Sequence, residues 1–273
     1  MIARTKSPIM YKNRPLTASR IIDLVRKAAI FTTPTKSVKT FYGPRMMKRR
    51  GDLTFIASAL GHYGSFISDK LHAIDGPFVF LDIGANAGLY SLLAAARPEC
   101  DQVIAIEPVP STFSVLVQNI AINEAAKVTP ICGAVSTSDA GFVAMSFDPK
   151  HSGVSHVVEK TRDRVDHEVL AFVVSPMHLG LLLGKSTERI VIKIDVEGSE
   201  ADVLTTIERA GLFPRITDAI IELSTLNDSS VQNVLSARSI MSRNGFIEET
   251  AIPATATFHY DAYFVRSAAQ QPD

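Results

Sequence analysis

The distribution of apolar and polar positions predicts alternating strands and helices from residue 78 onward. Short continuous apolar runs predict strands at 78–83, 102–107, 127–135, 190–195 and 216–223. Segments with apolar residues at helical spacing lie between them and predict helices at 88–97, 111–122, 199–210 and 231–244. Strands that are apolar throughout and alternate with helices are typical of a parallel sheet covered on both faces, so the predicted fold class is α/β.

The pattern also predicts strands outside this alternation. Two strands at the end of the chain, 245–250 and 258–265, are joined by a short loop without a helix, so we expect them to be antiparallel to each other. Two more, 141–147 and 169–175, flank a polar loop, "KHSGVSHVVEK", which contains His151 and His156.

Helical patterns precede the strands. Residues 17–31 carry apolar side chains at helical spacing with basic residues opposite, which predicts an amphipathic helix. Residues 53–74 also read as helical, with breaks at Gly61 and Gly64.

The net charge of zero hides an asymmetry between the two parts of the chain. Residues 1–50 hold 13 Lys or Arg and one acidic residue, whereas residues 51–273 hold 15 basic and 27 acidic residues. We therefore predict a basic N-terminal arm, 1–50, with one amphipathic helix, followed by one domain, 51–273. The arm is open to three interpretations: a helix packed on the main domain, a contact with an anion, membrane surface or nucleic acid, or a targeting peptide.

Composition excludes several classes of protein. Apolar residues make up 46% of the chain, enough for a sizeable core and against global disorder. The two cysteines, Cys100 and Cys132, are far apart and form no CxxC, so we predict neither a disulfide framework nor a zinc site. We find no apolar run near the ~20 residues of a membrane span and no apolar signal core, so we expect a cytoplasmic protein. The sequence does not indicate the oligomeric state.

The most informative segment follows the strand at 78–83. In open parallel sheets ligands bind beyond the carboxyl ends of the strands. Here the chain reads D-x-G-x-N-x-G, in which Gly84 permits a tight turn and Gly88 lets the next helix start close to the strand. Asn86 stands where a dinucleotide fingerprint has its second glycine, and asparagine tolerates left-handed backbone better than most residues. The segment predicts a nucleotide-type ligand.

An acidic residue ends the next strand along the chain. Glu107 occupies the position from which a carboxylate holds the two hydroxyls of a ribose in dinucleotide and S-adenosylmethionine sites. The alternative is that Glu107 only caps the helix at 111–122.

A third segment, "VIKIDVEGSE", places several carboxylates at the end of one strand. Asp195 and Glu197 follow the apolar run, and we expect them to point into the cleft. Lys193 lies within that run, where a buried ammonium needs a partner, and the nearby acids are the candidates. Glu200 and Asp202 fall in the first turn of a helix, where acids oppose the dipole and have a structural role.

These segments together resemble the FkbM family of S-adenosylmethionine-dependent methyltransferases. The resemblance extends from residue 78 to residue 266 and rests on "FLDIGANAGLYSLLAA", "IEPVPSTFSVLVQNIAIN", "VIKIDVEGSEADVL", "IIEL" and "YDAYFV". It implies a Rossmann-like class I methyltransferase fold, a mostly parallel sheet of seven strands with the last strand antiparallel. It also implies S-adenosyl-L-methionine as cofactor and methyl transfer to a hydroxyl.

The resemblance assigns roles to individual residues. It implies that the methionine part of the cofactor is surrounded by Asp82, Gly84, Ala85, Asn86 and Gly88. Glu107 would hold the ribose, Pro108 would shape the turn after it, and Ala134 and Val135 would form the adenine wall. One departure concerns the acceptor side, because the family often has E-x-H where this chain has Glu222-Leu223-Ser224.

The acceptor hydroxyl needs a group that removes its proton. Asp195 is the first candidate base, and His156 and His151 in the polar loop come next. Glu222, at the end of the adjacent strand, would join Asp195 in a second mechanism in which a divalent metal acidifies the acceptor, and this mechanism is not favoured.

Several functions stay open from the sequence. We predict O-methylation of a hydroxyl on a sugar, polyketide or other small-molecule or glycan acceptor. The alternatives are a non-catalytic cofactor-binding relative, a nucleic-acid methyltransferase that uses the basic arm, and a nucleotide-sugar or NAD-dependent enzyme. Against nucleic acid as substrate stand the absence of an Asp/Asn-Pro-Pro-aromatic motif at residue 195 and the acidic body.

Overall fold

A computed structural model describes residues 34–148, 151–157, 167–184, 188–224, 228–250 and 259–267, together with Val25, Ala28, Ile30 and Thr32. These four are helical, and the rest of the predicted helix at 17–31 lies outside the described residues. The chain divides into two compact units, Met1–Thr35 and Lys36–Asp273. The predicted division into an arm and a methyltransferase domain at residue 50 stays a prediction.

The described elements of the second unit are thirteen strands and seven helices. The strands are β1 (Ser37–Lys39), β2 (Arg45–Met47), β3 (Phe78–Ile83), β4 (Cys100–Glu107), β5 (Val128–Cys132), β6 (Ala134–Val135), β7 (Phe142–Asp148), β8 (His151–Val157), β9 (Glu168–Val174), β10 (Ile190–Ile194), β11 (Ile216–Ser224), β12 (Phe246–Glu248) and β13 (His259–Arg266). The helices are α1 (Leu53–Leu60), α2 (Ser65–Ala73), α3 (Leu89–Ala95), α4 (Pro110–Ile122), α5 (Pro176–Leu183), α6 (Glu200–Arg209) and α7 (Asp228–Arg243).

The central sheet has seven strands in the order β12-β13-β11-β10-β3-β4-β5. The strands β11, β10, β3, β4 and β5 are parallel to one another, and β13 is antiparallel to both β11 and β12. This arrangement confirms the predicted mostly parallel sheet with an antiparallel last strand. Since β10 and β4 flank β3, the ends of these three strands meet at one edge of the sheet.

Both faces of the central sheet are buried. Val79, Leu81 and Ile83 of β3 belong to a core cluster that includes apolar residues of α5, α6 and α7. Phe78 and Phe80 are fully buried as well, and strand side chains alternate, so these two point to the opposite face. The continuous apolar runs of the sequence are the direct consequence of this two-sided burial.

A second sheet, β6-β9-β7-β8, corrects one prediction from the sequence. The polar segment that was predicted to be a loop forms β8, which pairs with β7 and places His156 opposite Ser146. The segment contains Gly153, a residue type that is depleted in strands, but the ladder to β7 supplies the backbone hydrogen bonds that decide the conformation. The predicted strand at 127–135 is also divided, because Gly133 separates β5 in one sheet from β6 in the other.

The hairpin before α1 packs on α4 within the second unit. β1 and β2 form an antiparallel pair. The backbone N–H groups of Met47 and Arg45 donate to the side-chain oxygens of Asn119 (2.7 Å) and Asn123 (2.9 Å) on α4. These hydrogen bonds hold β2 beside the helix that follows β4.

The start of α1 is fixed by one buried carboxylate. Asp52 accepts hydrogen bonds from the N–H groups of Thr54 and Phe55, and it pairs with the Arg49 side chain at 3.1 Å. The same carboxylate also accepts from the N–H of Ser152 at 3.4 Å, which ties α1 to β8. In the part of the chain that the structure describes, no helix is long and apolar enough to cross a membrane.

Candidate active site

Lys193 organises the ends of the central strands. Its Cα lies opposite that of Asp82 in the β10–β3 ladder, and its ammonium lies 3.2 Å from a carboxylate oxygen of Asp82 and 3.4 Å from one of Asp195. The ammonium also donates to the backbone carbonyl of Gly84 at 2.8 Å. The prediction that the buried lysine needs acidic partners is confirmed, and the three interactions fix the start of the glycine turn.

The charge on Lys193 follows from its partners. Burial alone would lower the pKa of this lysine, but the Asp82 and Asp195 carboxylates outweigh it and raise the pKa above its ordinary value. Asp82 also accepts a hydrogen bond of 2.6 Å from the Ser91 hydroxyl. Since its side chain is fully buried, we infer that Asp82 supports the site from beneath.

The turn after β3 has the backbone geometry that its glycines and asparagine allow. Gly84 has φ of +79°, and a Cβ built there would lie 1.8 Å from the Asp195 carbonyl oxygen. Asn86 has φ of 50°, in the left-handed region that was inferred from the sequence. Gly88, with φ of +86°, precedes α3, and a Cβ there would lie 2.4 Å from the Leu116 side chain. Glycine at 84 and 88 thus permits the close approach of neighbouring chain segments.

Glu107 closes the turn from the side of β4. Its carboxylate accepts hydrogen bonds from the N–H of Asn86 (2.9 Å) and the N–H of Val109 (3.0 Å). The second of these resembles a helix cap before α4, so the capping interpretation describes one of its contacts. Burial raises the pKa of Glu107 to about 7, against the lowering effect of the hydrogen bonds. The carboxyl group therefore titrates near neutral pH.

A cleft of about 600 Å³ lies beyond these strand ends. Predicted site residues that line it are Gly84, Asn86, Glu107, Pro108, Ala134, Val135, Asp195 and Glu197. Asp82, Ala85 and Gly88 do not line this cleft: Asp82 and Ala85 are buried, Gly88 directly precedes α3, and Ala85 lines the second cleft described below. Ser152 of β8 and Met145 of β7 also line the cleft, although the sequence pattern assigned them no role. The second sheet therefore forms one wall of the cleft.

Three carboxylates converge where the strands end. Oxygens of Asp195, Glu197 and Glu222 lie within 4.8 Å of one another, a spacing compatible with shared coordination of a metal ion. Burial and the charge of Asp195 raise the pKa of Glu197 to about 8. Glu197 also has a left-handed backbone, with φ of 53°. In this cluster a proton or a cation can balance part of the negative charge.

Glu222 is a half-buried member of this carboxylate cluster. Burial, followed by repulsion from Asp195 and Glu197, raises its pKa well above the ordinary value, and it hydrogen-bonds to Asp195. The Tyr63 hydroxyl donates to Glu222 at 3.3 Å. Asp261 of β13 lies opposite Glu222 in the ladder, and burial raises its pKa to about 6. We infer that Glu222 is protonated at neutral pH and donates to the Asp195 carboxylate.

A second cleft, of about 550 Å³, adjoins the first. It shares Gly84, Asn86, Ser152 and Asp195 with the first cleft. Its other walls include Phe55 and Ser58 of α1, Tyr63 in the following loop and Tyr90 of α3. The sequence pattern gave these residues no role in a site, because apolar residues at helical spacing are typical of core positions. The one signal in the sequence was the pair Gly61 and Gly64, which flank Tyr63 and indicate a break in the helical pattern.

His156 has a different place from the one expected. The structure puts it on β8, four residues after Ser152, rather than in a loop over the site. Its role as a base stays a prediction.

The strand order, with one antiparallel strand inserted beside the edge, is that of Rossmann-like methyltransferases. Residues 82–248 match the model of the methyltransferase FkbM domain. This match covers more than half of the chain, which therefore belongs to the FkbM methyltransferase family.

Two known relatives are named as methyltransferases. Methyltransferase sdnD of Sordaria araneosa is 26% identical over 158 residues, which are 48% of this chain and 61% of that protein. Methyltransferase 1 of Beauveria bassiana (strain ARSEF 2860) is 25% identical over 188 residues, 63% of this chain and 73% of that protein. The chain thus spans about three fifths of the length of the first relative.

Solved structures with a similar fold include the O-methyltransferase TomG from Streptomyces achromogenes, in complex with SAM. TomG is 12% identical, with a TM-score of 0.46 over 75% of this chain and 82% of TomG. Precorrin-6y C5,15-methyltransferase from Geobacter metallireducens is 14% identical, with a TM-score of 0.41 over 74% of this chain and 86% of that one.

Proposed function

We propose that the protein transfers the methyl group of S-adenosyl-L-methionine to a hydroxyl of a small-molecule or glycan acceptor. One observation carries the proposal: the glycine turn, Glu107 and Asp195 line the same cleft of about 600 Å³. The cleft lies at the carboxyl ends of β3, β4 and β10, where open parallel sheets bind nucleotides. Because the chain belongs to a methyltransferase family, S-adenosylmethionine is the ligand that we expect in this cleft.

The cofactor would lie along the turn between β3 and α3. Glu107 would accept hydrogen bonds from the ribose hydroxyls, with Pro108 beside it. The turn residues Gly84 to Gly88 would surround the methionine part. Ala134 and Val135, both nearly fully buried, would form an apolar wall for the adenine. Asp82 would act through Lys193, which it holds against the carbonyl of Gly84.

The transfer itself is an in-line displacement. The acceptor oxygen forms a bond to the methyl carbon, the carbon–sulfur bond breaks, and S-adenosylhomocysteine leaves with the electron pair on sulfur. Because the sulfonium is already reactive, much of the rate comes from alignment of the two partners. The protein must also remove the proton of the hydroxyl.

Asp195 is the proposed base, because it lines the cofactor cleft and is held by two neighbours. Lys193 neutralises part of its charge from one side, and Glu222 hydrogen-bonds to it from the other. Its side chain retains 20% exposure, so a bound acceptor can reach it. His156 stays the second candidate.

A divalent cation is the second way to acidify the acceptor. Asp195, Glu197 and Glu222 offer hard oxygen ligands of the type that Mg²⁺ and Ca²⁺ prefer. A cation held there would lower the pKa of a bound hydroxyl. Activity that is unchanged after exhaustive chelation would eliminate this version, whereas restoration by one added metal would support it.

The proposal is tested by ligand-induced stabilisation. S-adenosylhomocysteine should raise the unfolding midpoint, because a ligand that binds only the native state shifts the folding equilibrium. The substitution Glu107→Ala should abolish this shift, while Glu168→Ala, an exposed acid on β9, should keep it. Stabilisation by NAD and not by S-adenosylhomocysteine would contradict the proposal, and unimpaired binding by Glu107→Ala would contradict the ribose contact.

A further inference from the structure

The second cleft differs from the first in the chemistry of its walls. Met46, Phe55, Tyr63, Leu89 and Tyr90 supply apolar and aromatic surface on several sides. These residues come from β2, from α1 and the loop after it, and from α3, so the cleft exists only in the folded unit. Apolar walls with a few polar groups are typical of small-molecule sites.

The two clefts meet at Asp195. This residue lines both clefts, together with Gly84, Asn86 and Ser152, so the two clefts adjoin. A molecule in the second cleft can therefore present one end to Asp195 and to the cofactor cleft beyond it. The walls of the second cleft would enclose the rest of that molecule.

The charges around the second cleft limit what it can bind. Among the described residues that line it, Lys193 is the one basic side chain and Asp195 the one acidic side chain, and they pair at 3.4 Å. The ammonium is also engaged by Asp82 and by the Gly84 carbonyl. A ligand anion would therefore be desolvated beside Asp195 without a cation to pair with it, which is strongly unfavourable.

We propose that the second cleft binds the methyl acceptor, and that this acceptor is an uncharged molecule with an apolar or aromatic body and a hydroxyl directed at Asp195. The inference rests on the proposed function and narrows its acceptor class. It favours phenols, polyketide-like alcohols and other apolar alcohols. It excludes phosphorylated sugars, nucleotides and acidic glycans, whose charges the cleft cannot compensate.

The experiment uses benzyl alcohol and benzoate, which share a ring and differ in charge. The full chain carries methyl-labelled methionine and is saturated with S-adenosylhomocysteine. The nuclear magnetic resonance signal of the Met46 methyl group reports occupancy of the second cleft. The variant Met46→Leu assigns this signal. Benzyl alcohol should shift the Met46 signal with saturation. Benzoate should bind at least about tenfold more weakly, because its carboxylate lies beside Asp195.

Two variants on α1 separate the cleft from its surroundings. Thr54 lines the second cleft but not the first, so Thr54→Phe should fill the second cleft and abolish the benzyl alcohol response. Leu53→Phe, at a neighbouring position that is 60% exposed, is the matched control and should keep the response. Both variants should bind S-adenosylhomocysteine normally, since neither position lines the first cleft.

The outcomes distinguish the two proposals. Failure of S-adenosylhomocysteine to bind the wild-type protein would overturn the proposed function, and this inference with it. Normal cofactor binding without a Met46 response to benzyl alcohol would overturn only the inference. Benzoate that binds as tightly as benzyl alcohol would also overturn only the inference. A Met46 response to benzyl alcohol that persists in the Thr54→Phe variant would do the same.

Discussion

Single residues at the strand ends have protonation states that depend on burial and on their partners. Glu107 is the clearest case, because its carboxyl is buried, accepts two backbone hydrogen bonds and still has a pKa near 7. Donors that bind to the ionised form lower the pKa of an acid. A ribose that donates to Glu107 would therefore drive a proton off the protein.

The first prediction is proton release on cofactor binding. Free Glu107 is partly protonated at pH values near 7 and below, and the bound form would be ionised. S-adenosylhomocysteine should therefore bind more tightly as the pH rises from about 6 to 8, with release of up to about one proton. Isothermal titration calorimetry in buffers of different ionisation enthalpy measures this release. Glu107→Gln should abolish it, and proton uptake or a pH-independent affinity would contradict the ribose contact.

The second prediction concerns the close approach of two backbone segments at Gly84. Gly84→Ala introduces a Cβ that would lie 1.8 Å from the Asp195 carbonyl oxygen. Because backbone rather than a flexible side chain must move, we expect a loss of more than about 3 kcal/mol in the free energy of unfolding.

Gly76→Ala is the matched control for this substitution. Gly76 also has a positive φ, +72°, but a Cβ there meets nothing within 4 Å. Its cost should be limited to the backbone strain, about 1–2 kcal/mol. Equal losses in urea unfolding of the two variants would show that φ alone explains the need for glycine at 84.

At the scale of elements, the sequence predicted the strands that are buried on both faces and the helices between them. Five of the six residues of β3 are apolar and all six are buried, and this run predicted the bounds of the strand correctly. The prediction of a loop at β8 was wrong, because its Ser, Gly and His residues form a strand only through pairing with β7. Such pairing between segments is invisible to a local pattern.

The candidate site was predictable to a similar degree. Residues at strand ends, such as Glu107 and Asp195, could be found because the chain order of an α/β fold places them at one edge. Tyr63 and Ser152 could not be found in this way, because Tyr63 reaches the second cleft from a loop and Ser152 reaches both clefts from the second sheet. Their positions depend on how α1 is anchored, by Asp52, to the backbone of β8.

The third prediction tests how α4 supports β2 and the glycine turn together. Asn119 is fully buried, accepts from the N–H of Met47 and donates to the carbonyl of Ala87 at 2.8 Å. Asn119→Ala would leave both backbone groups without these partners and should reduce the free energy of unfolding by about 2–4 kcal/mol. Gln118→Ala, at an exposed position of the same helix, should have almost no effect on urea unfolding. Similar losses in both would contradict a specific role for the Asn119 hydrogen bonds, because Ala is the better helix former and helix propensity alone would destabilise neither variant.

At the scale of the whole chain, the charge distribution and the compact units place the boundary of the N-terminal part at different residues. The basic composition extends to residue 50, whereas the second compact unit begins at Lys36. Residues 36–50 carry six of the basic side chains and also form the hairpin that contributes Met46 to the second cleft. Charge alone therefore does not define the edge of the structural unit.

The fourth prediction compares two truncated chains, one starting at Lys36 and one at Gly51. The shorter chain lacks β1 and β2, so Asn119 and Asn123 lose the backbone groups that they bind on β2. It should unfold at a lower urea concentration than the longer chain, since buried polar groups without partners are unfavourable. It should also bind benzyl alcohol more weakly in isothermal titration calorimetry, because it lacks Met46, which is part of the cleft wall. Equal unfolding midpoints for the two chains would instead support a domain boundary at residue 50.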